Sequence, residues 1–218
     1  MIISVTCYVC IQYKKSLLMK KINKMHRSKK YDAVIFDLDG TLTVPTLDFS
    51  AIRKELNIPT GDIVVEISKL PPYKQAESWA IIERHEEVAM LRQTLQTGAL
   101  KILKECRSHG ILLGLVTRNS MKSVEFFTKK YSISFDGVVT RETPPLKPHP
   151  APIQRLLSLW NIPSSRALVV GDYRHDIQAG IAAGTQTCFF QNKNTPFSGE
   201  GADFVIHSFN ELFDIIFS

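Results

Sequence analysis

The chain has 218 residues, of which 44% are hydrophobic and 22% are charged, as is typical of a globular protein that buries a sizeable core. This length fits one domain with an insertion, or one large and one small domain. No apolar run reaches the roughly 18 residues of a membrane-spanning helix, so the sequence predicts no transmembrane helix and no membrane partner.

The positive charge of the chain is concentrated in its first 30 residues. They contain eight Lys and Arg and no acid, whereas residues 31–218 have 19 bases and 21 acids, a formal charge of −2. Such a mildly acidic body gives no sign of a nucleic-acid-binding face. We expect residues 1–30 to be a disordered leader, or the result of a start codon assigned too far upstream. In the second case Met19 and Met25 are candidates for the true start. An organelle presequence and a segment that touches anionic surfaces stay open as alternatives.

The four cysteines favour a reducing compartment. Cys7 and Cys10 form a Cys-x-x-Cys pair, but no second pair follows at the spacing of a zinc site. Cys106 and Cys188 lie in apolar patterns that are typical of packed thiols. Few cysteines and no disulfide framework are expected of a cytoplasmic protein.

From residue 33 onward, short apolar runs alternate with amphipathic segments. Strands are predicted near residues 33–37, 111–117, 136–139, 167–171, 187–190 and 203–206. Helices are predicted near residues 98–109, 120–131, 151–160, 174–183 and 209–216. This alternation predicts a three-layer α/β fold, in which helices cover both faces of a parallel sheet.

The chain between the first two predicted strands is far longer than a crossover connection needs. Residues 48–95 must therefore form additional structure. A helical pattern of apolar residues, among them Trp79, Val88 and Leu91, runs over residues 73–95. A shorter helical pattern covers residues 47–56.

Polar residues directly follow three of the predicted strands. Asp37 and Asp39 end the first strand beside Gly40, where the chain can turn, and Thr117 and Asp172 end two others. Because parallel strands share one carboxyl edge, where ligands bind, these side chains are expected to converge. Paired carboxylates at the end of a buried strand suit a divalent cation, although the first segment alone fits an ordinary Asx turn equally well.

Two further residues extend this set. Asp176 follows Asp172 by one helical turn. Lys147 lies in the proline-rich stretch 144–150, which is stiff and non-helical because each proline restricts its own backbone and that of its predecessor. We expect Lys147 to enter the same crevice from this loop.

Taken in order, these segments resemble the four motifs of the haloacid dehalogenase superfamily. The first motif is matched by Asp37-Leu-Asp39-Gly-Thr, the second by Thr117, the third by Lys147, and the fourth by Gly171-Asp172 with Asp176. The resemblance covers about residues 32–218, and Lys147-Pro-His-Pro and Val116-Thr-Arg-Asn are most like the phosphoglycolate phosphatase-like branch. It implies a Rossmann-like core over residues 31–47 and 96–218, with residues 48–95 as a small α-helical cap inserted after the first strand.

The resemblance also implies a role for each candidate site residue. Asp37 would be the nucleophile, Asp39 the general acid and base, and Lys147 the cation that keeps Asp37 ionised. Magnesium would be bound by Asp37, Asp172 and the backbone carbonyl of Asp39, with Asp176 orienting metal-bound water. The residues expected to bind the substrate phosphate are Thr117, Arg118, Asn119 and Gly40.

We therefore expect a magnesium-dependent phosphatase that hydrolyses a small phosphomonoester through an aspartyl-phosphate. A phosphomutase of the same superfamily and a non-catalytic phosphate-binding protein are the alternatives. The expected partner is a small phosphate ester rather than nucleic acid or a membrane, and the protein is expected to be a monomer or a weak homodimer. Phosphoglycolate, a sugar phosphate and a nucleotide monophosphate stay open as substrates. The polar residues of the cap that are candidates to contact the leaving group are Arg53, Lys69, Lys74, Arg84 and His85.

Overall fold

The structure, a computed structural model, describes residues 28–193, 195 and 197–217. The expected leader lies outside these residues except for its last three positions, and the Cys7–Cys10 pair lies wholly outside them.

Six parallel strands form one sheet in the order β3-β2-β1-β4-β5-β6 within the described residues. They are β1 (Ala33–Phe36), β2 (Leu112–Val116), β3 (Gly137–Val139), β4 (Ala167–Gly171), β5 (Gln186–Phe190) and β6 (Phe204–Ile206). The central strand β1 pairs on both sides, so that Ile35 is aligned with Gly114 of β2 and with Val169 of β4. The predicted α/β fold with a parallel sheet is thereby confirmed.

Helices cover both faces of this sheet. In the described residues they are α1 (Phe49–Leu56), α2 (Ile63–Ser68), α3 (Pro72–Arg92), α4 (Ala99–Ser108), α5 (Met121–Tyr131), α6 (Ala151–Trp160), α7 (Arg174–Ala183) and α8 (Phe209–Ile216). The helices α4 to α8 match the predicted ones closely, whereas α2 has no counterpart among them. None of the helices that the structure describes combines the length and the apolar composition needed to cross a bilayer.

The side chains of β1 alternate between two buried clusters, as expected for a strand that is covered on both faces. Val34 and Phe36 belong to the cluster that includes Ile102 of α4 and Leu212 of α8. Ala33 and Ile35 belong to the opposite cluster, which is completed by the residues Ile153, Leu156, Leu157 and Ala179 of α6 and α7. The core therefore covers both faces of the central strand that leads to the carboxyl edge of the sheet.

The segment predicted as a cap contains α1, α2 and α3. The helix α3 ends at Arg92, earlier than predicted, because residues 94–96 instead pair with the chain that leaves β1. In this pairing the Val44 N–H donates to the Thr94 carbonyl at 2.9 Å, and the Gln96 N–H donates to the Leu42 carbonyl at 2.9 Å. The two connections between this segment and the sheet thus run side by side, and the division into core and cap stays a prediction.

The apolar pattern of α3 does not mark its buried face. Val88 and Leu91 are 47% and 77% exposed, whereas Glu86 is only 4% exposed. The physical reason is that Glu86 has partners on the sheet side, Ser120 and Arg141, which satisfy its charge.

Candidate active site

The ends of the central strands bring the predicted polar residues to one edge. The Asp37 N–H donates to the Val170 carbonyl at 2.9 Å, so the chain still follows β4 as it leaves β1. The Thr117 N–H likewise donates to the Val139 carbonyl at 3.0 Å. Asp37 and Thr117 therefore leave the sheet along the same edge, where Asp172 follows β4.

Lys147 joins two carboxylates at this edge. Its Nζ lies 2.6 Å from Asp37 Oδ1 and also forms an ion pair with Asp176. The lysine is buried, with only 5% of its surface exposed, so both acids serve to compensate its charge. The loop lysine and the two acids thus meet as the sequence motifs predict.

Asp37, Asp172 and Asp176 form a compact group of carboxylates. One oxygen of each lies within 4.8 Å of one oxygen of the other two. Burial raises the pKa of Asp37 to about 7, although Lys147 opposes the shift. Burial and the proximity of Asp37 raise the pKa of Asp172 to about 8. Three crowded oxygen ligands with this mutual repulsion suit a hard divalent cation, which would relieve it.

Asp39 lies beside this group but points to other partners. Its Oδ2 accepts a hydrogen bond from Asn119 Nδ2 at 2.5 Å, and its Oδ1 accepts one from Thr43 Oγ1 at 3.0 Å. Burial raises the pKa of Asp39, and the hydrogen bonds from Asn119 and Thr43 oppose this shift. Its carboxylate is not part of the three-carboxylate group, and contact of its backbone carbonyl with a metal stays a prediction.

Gly40 makes the close approach between Asp172 and the first motif possible. Its φ is +84°, and a Cβ atom at this position would lie 2.0 Å from Asp172 Oδ2. Only glycine adopts this backbone conformation without strain and leaves room for the carboxylate. The Thr41 hydroxyl, one residue further on, donates to Asp172 Oδ1 at 3.5 Å.

Two amide side chains at this edge were not identified in the sequence. Asn192 Nδ2 donates to the Gly40 carbonyl at 2.7 Å and to Asp172 Oδ2 at 3.1 Å. Gln96 Nε2 donates to Asn192 Oδ1 at 2.8 Å and to the Gly40 carbonyl at 3.3 Å. Asn192 follows β5 as Asp172 follows β4, so the signal that identified Asp172 was available for Asn192 too.

The guanidinium of Arg118 points to the predicted cap. It donates to both carboxylate oxygens of Asp62, at 2.6 Å and 2.8 Å, and to His175 Nδ1 at 2.6 Å. Burial would raise the pKa of Asp62, but the hydrogen bonds and the charge of Arg118 outweigh it and hold this pKa at about 2. Asp62 also caps α2 through the N–H groups of Val64 and Val65. Binding of the substrate phosphate by Arg118 stays a prediction, since here its partner is Asp62.

Several polar residues of the predicted cap contact the cap itself. Arg84 and His85 of α3 both pair with Glu55 of α1. Arg53 donates to the carbonyls of Ile58 and Gly61, at 3.3 Å and 2.7 Å. These contacts join α1 to α3 and to the loop that follows α1, and contact of these side chains with a leaving group stays a prediction.

The fold and this edge define the class of the protein as a Rossmann-like α/β protein with an acidic site at the carboxyl ends of its strands. The haloacid dehalogenase-like hydrolase family matches residues 43–190. The chain belongs to this family, and the predicted family and enzyme class are thereby confirmed.

Two curated relatives match most of the chain. A haloacid dehalogenase-like hydrolase domain-containing protein of Arabidopsis thaliana is 30% identical over 202 residues, which are 84% of this chain and 82% of that protein. The pyrophosphatase PpaX of Bacillus mycoides is 32% identical over 181 residues, which are 72% of this chain and 82% of PpaX.

Solved structures share the fold. A predicted phosphoglycolate phosphatase from Haemophilus somnus superposes with a TM-score of 0.68 at 22% identity, over 85% of this chain and 98% of its own. CbbY from Rhodobacter sphaeroides, solved in complex with phosphate, superposes with a TM-score of 0.65 at 22% identity, over 84% of this chain and 96% of its own. At this level of identity the likeness concerns the fold alone.

Proposed function

We propose that the protein is a magnesium-dependent phosphatase that hydrolyses a small phosphomonoester through an aspartyl-phosphate. The observation that carries the proposal is the meeting of Lys147, Asp37, Asp172 and Asp176 at one edge of the sheet. The pyrophosphatase relative and the phosphate bound to CbbY support a substrate that carries phosphate.

Asp37 is proposed as the nucleophile. One of its carboxylate oxygens attacks phosphorus, the bond from phosphorus to the leaving oxygen breaks, and an aspartyl-phosphate forms. Burial makes the ionised form of Asp37 costly, and the ammonium group 2.6 Å from Oδ1 offsets this cost. Lys147 thus keeps the nucleophile in its reactive state.

Asp39 is proposed as the general acid and base. Its buried carboxyl has a raised pKa, so that its protonated form is available to donate to the leaving oxygen. The carboxylate that remains then takes a proton from water, whose oxygen attacks phosphorus and releases Asp37 and inorganic phosphate. Asn119 and Thr43 hold the two oxygens of Asp39 in place for both transfers.

The phosphoryl oxygens are proposed to lie against the start of α5. The Thr117 hydroxyl accepts a hydrogen bond from the Asn119 N–H at 3.1 Å, which shapes the turn ahead of the helix. A helix N-terminus attracts anions through its dipole. Thr117, Asn119 and the Gly40 turn would therefore surround the transferred group.

The carboxylates of Asp37 and Asp172 and the carbonyl of Asp39 would hold Mg²⁺, with Asp176 beside them. Their all-oxygen donor set is the kind that this ion prefers. When bound, it would offset the negative charge of the carboxylates and of the substrate phosphate.

The proposal is tested by the release of inorganic phosphate from p-nitrophenyl phosphate, with magnesium and with EDTA. We expect hydrolysis that requires magnesium and that Asp37→Asn abolishes while the fold is retained. Asp32→Asn is the matched control, because Asp32 precedes the same strand at its other end and pairs with Arg166. Full activity of Asp37→Asn would refute the assigned nucleophile. Phosphate transfer without release would favour a phosphomutase, and no turnover of any phosphate ester would favour a binding protein.

A further inference from the structure

Asn192, which follows β5, lies against the acidic group without being one of its carboxylates. We propose that Asn192 and Gln96 form a positioning pair that fixes Asp172 for metal binding. This inference rests on the proposed function, because it assigns Asp172 to the metal site.

The contacts of Asn192 join the two parts of the site that must stay in register. Its Nδ2 donates to Asp172 Oδ2 at 3.1 Å and to the Gly40 carbonyl at 2.7 Å. A single amide group therefore ties the end of β4 to the turn after β1. Gly40 leaves no room for a Cβ beside Asp172, so the two segments that this amide joins lie in close contact.

Gln96 determines which way the Asn192 amide faces. Its Nε2 donates to Asn192 Oδ1 at 2.8 Å, so the oxygen of Asn192 is engaged and its NH₂ group is directed to Asp172. A reversed amide would place an oxygen against the carboxylate and lose both hydrogen bonds. Gln96 also donates to the Gly40 carbonyl at 3.3 Å, which adds a second donor to the same turn.

The backbone of Gln96 is itself fixed. Its N–H donates to the Leu42 carbonyl at 2.9 Å, in the pairing that joins the two connections of the inserted segment. The position of Asp172 is therefore linked to the returning connection of this segment. Loss of a hydrogen bond to a carboxylate that binds a metal typically weakens the metal affinity 10–100-fold.

The experiment measures the affinity for magnesium alone, without substrate, from the rise in Tm as MgCl₂ is added to EDTA-treated protein. The variants are Asn192→Ala, Gln96→Ala and the double variant. Gln191→Ala is the matched control, since the Gln191 amide donates to the Asn192 carbonyl and contacts neither Asp172 nor Gly40. Asp172→Asn serves as the reference for loss of the site.

We expect Asn192→Ala to weaken magnesium binding about 10–100-fold and Gln96→Ala to weaken it less, with Gln191→Ala close to the parent protein. Because Gln96 acts mainly through Asn192, with one longer hydrogen bond of its own to Gly40, the double variant should bind magnesium only slightly more weakly than Asn192→Ala alone, not with the product of the two losses. A merely structural role would lower the Tm in EDTA without this non-additive change in affinity. If Asn192→Ala does not fold, Gln96→Ala, which leaves Asn192 in place, provides the test.

Two outcomes contradict the inference and are distinguishable. If Asp172→Asn loses magnesium binding while Asn192→Ala and Gln96→Ala bind as the parent does, the positioning pair is refuted and the metal site stands. If Asp172→Asn also binds as the parent does, the metal site of the proposed function is refuted together with the inference.

Discussion

Lys147 Nζ lies 2.6 Å from Asp37 Oδ1, although 110 residues separate the two in the chain. The same ammonium pairs with Asp176, and Asp172 completes the carboxylate group. One buried cation therefore faces three acids. Burial, followed by the charge of Asp37, raises the pKa of Asp172 to about 8. Among the residues that the structure describes, the single ammonium of Lys147 does not balance the three carboxylates, which is the physical argument for a bound divalent cation.

Replacing Lys147 should disable the site. In Lys147→Met the buried acids lose their cation, so Asp37 becomes harder to ionise and kcat should fall at least about 100-fold. Steady-state hydrolysis of p-nitrophenyl phosphate measures this loss. Lys101→Met, on the exposed face of α4, is the control and should keep full activity. A Lys147→Met enzyme within twofold of the parent would contradict the role assigned to the lysine.

Metal-free protein should lose stability as the pH rises. Asp172 has a pKa of about 8 in the folded protein against about 3.9 in an unfolded chain. The folded state therefore binds this proton more tightly, and the free energy of unfolding should fall as the pH rises from about 4 to about 8. Asp172→Asn removes this effect, so in EDTA at pH 8 its Tm should exceed that of the parent by several degrees.

With magnesium present, the Tm of the parent should exceed that of Asp172→Asn. Added MgCl₂ should raise the Tm of the parent more than that of Asp172→Asn, because the variant has lost a ligand for the metal. Thermal unfolding of both proteins measures the difference. The control is Asp32→Asn, since the hydrogen bond from Arg166 lowers the pKa of Asp32, so this substitution should not raise the Tm. If the Tm of the parent in EDTA instead rises between pH 5 and pH 8, the predicted loss of stability through the raised pKa of Asp172 is wrong.

The ion pair between Asp62 and Arg118 should stabilise the contact between the predicted cap and the sheet. Asp62 has a lowered pKa of about 2, so its contribution is present above about pH 4 and is lost as the pH falls toward 2. Asp62→Asn should lower the free energy of unfolding by about 1–2 kcal/mol at pH 7. Urea unfolding at several pH values measures the difference, which should shrink at acid pH.

A second N-cap aspartate provides the control for Asp62. Asp48 accepts the Ala51 N–H at 2.9 Å at the start of α1, and no arginine is among its contacts in the described residues. Asp48→Asn keeps an N-cap residue and should cost little. Equal losses in the two variants would mean that Arg118 adds nothing to the stability.

Gly40 should tolerate no larger residue. In Gly40→Ala the new methyl group would meet Asp172 Oδ2 and the φ of +84° would be strained. We expect activity to be lost and the Tm to fall. Gly110→Ala separates the two causes, because Gly110 also has a positive φ, of +66°, but nothing lies within 4 Å of a Cβ there. Gly110→Ala should lower the free energy of unfolding by about 1 kcal/mol and leave kcat unchanged. The same result for Gly40→Ala would mean that Asp172 moves to make room for the methyl group without loss of activity.

The parts of the fold that sequence predicts well are those with a local signal. Each strand of the sheet is a short apolar run, and Asp37, Thr117 and Asp172 stand out because they end such runs. The contacts of Glu86, Asp62 and Gln96 have no such signal, since each depends on a partner far along the chain. Glu86 is such a case, because only its partners Ser120 and Arg141 explain why an acid is buried on α3 while Leu91 is exposed.

The buried pair of Glu86 and Arg141 should contribute strongly to the stability of the fold. Arg141 lies against the ring of Trp79, pairs with Glu86, and donates its backbone N–H to the Asn119 carbonyl at 3.1 Å. Arg141→Met would leave the Glu86 carboxylate buried without its cation and should lower the free energy of unfolding by about 3–5 kcal/mol. Adding Glu86→Gln should restore part of this loss, because the amide oxygen still accepts from Ser120 and no charge remains buried.

Chemical denaturation of the two single variants and the double variant measures the coupling between Glu86 and Arg141. The control is Arg84→Met on α3, the helix that carries Glu86. The Arg84 side chain pairs with Glu55 but is 60% exposed, so its loss should lower the free energy of unfolding by at most about 1 kcal/mol. Strictly additive losses would mean that the two charges do not stabilise each other. In that case the attachment of α3 beside Asn119 would depend on apolar packing around Trp79 instead.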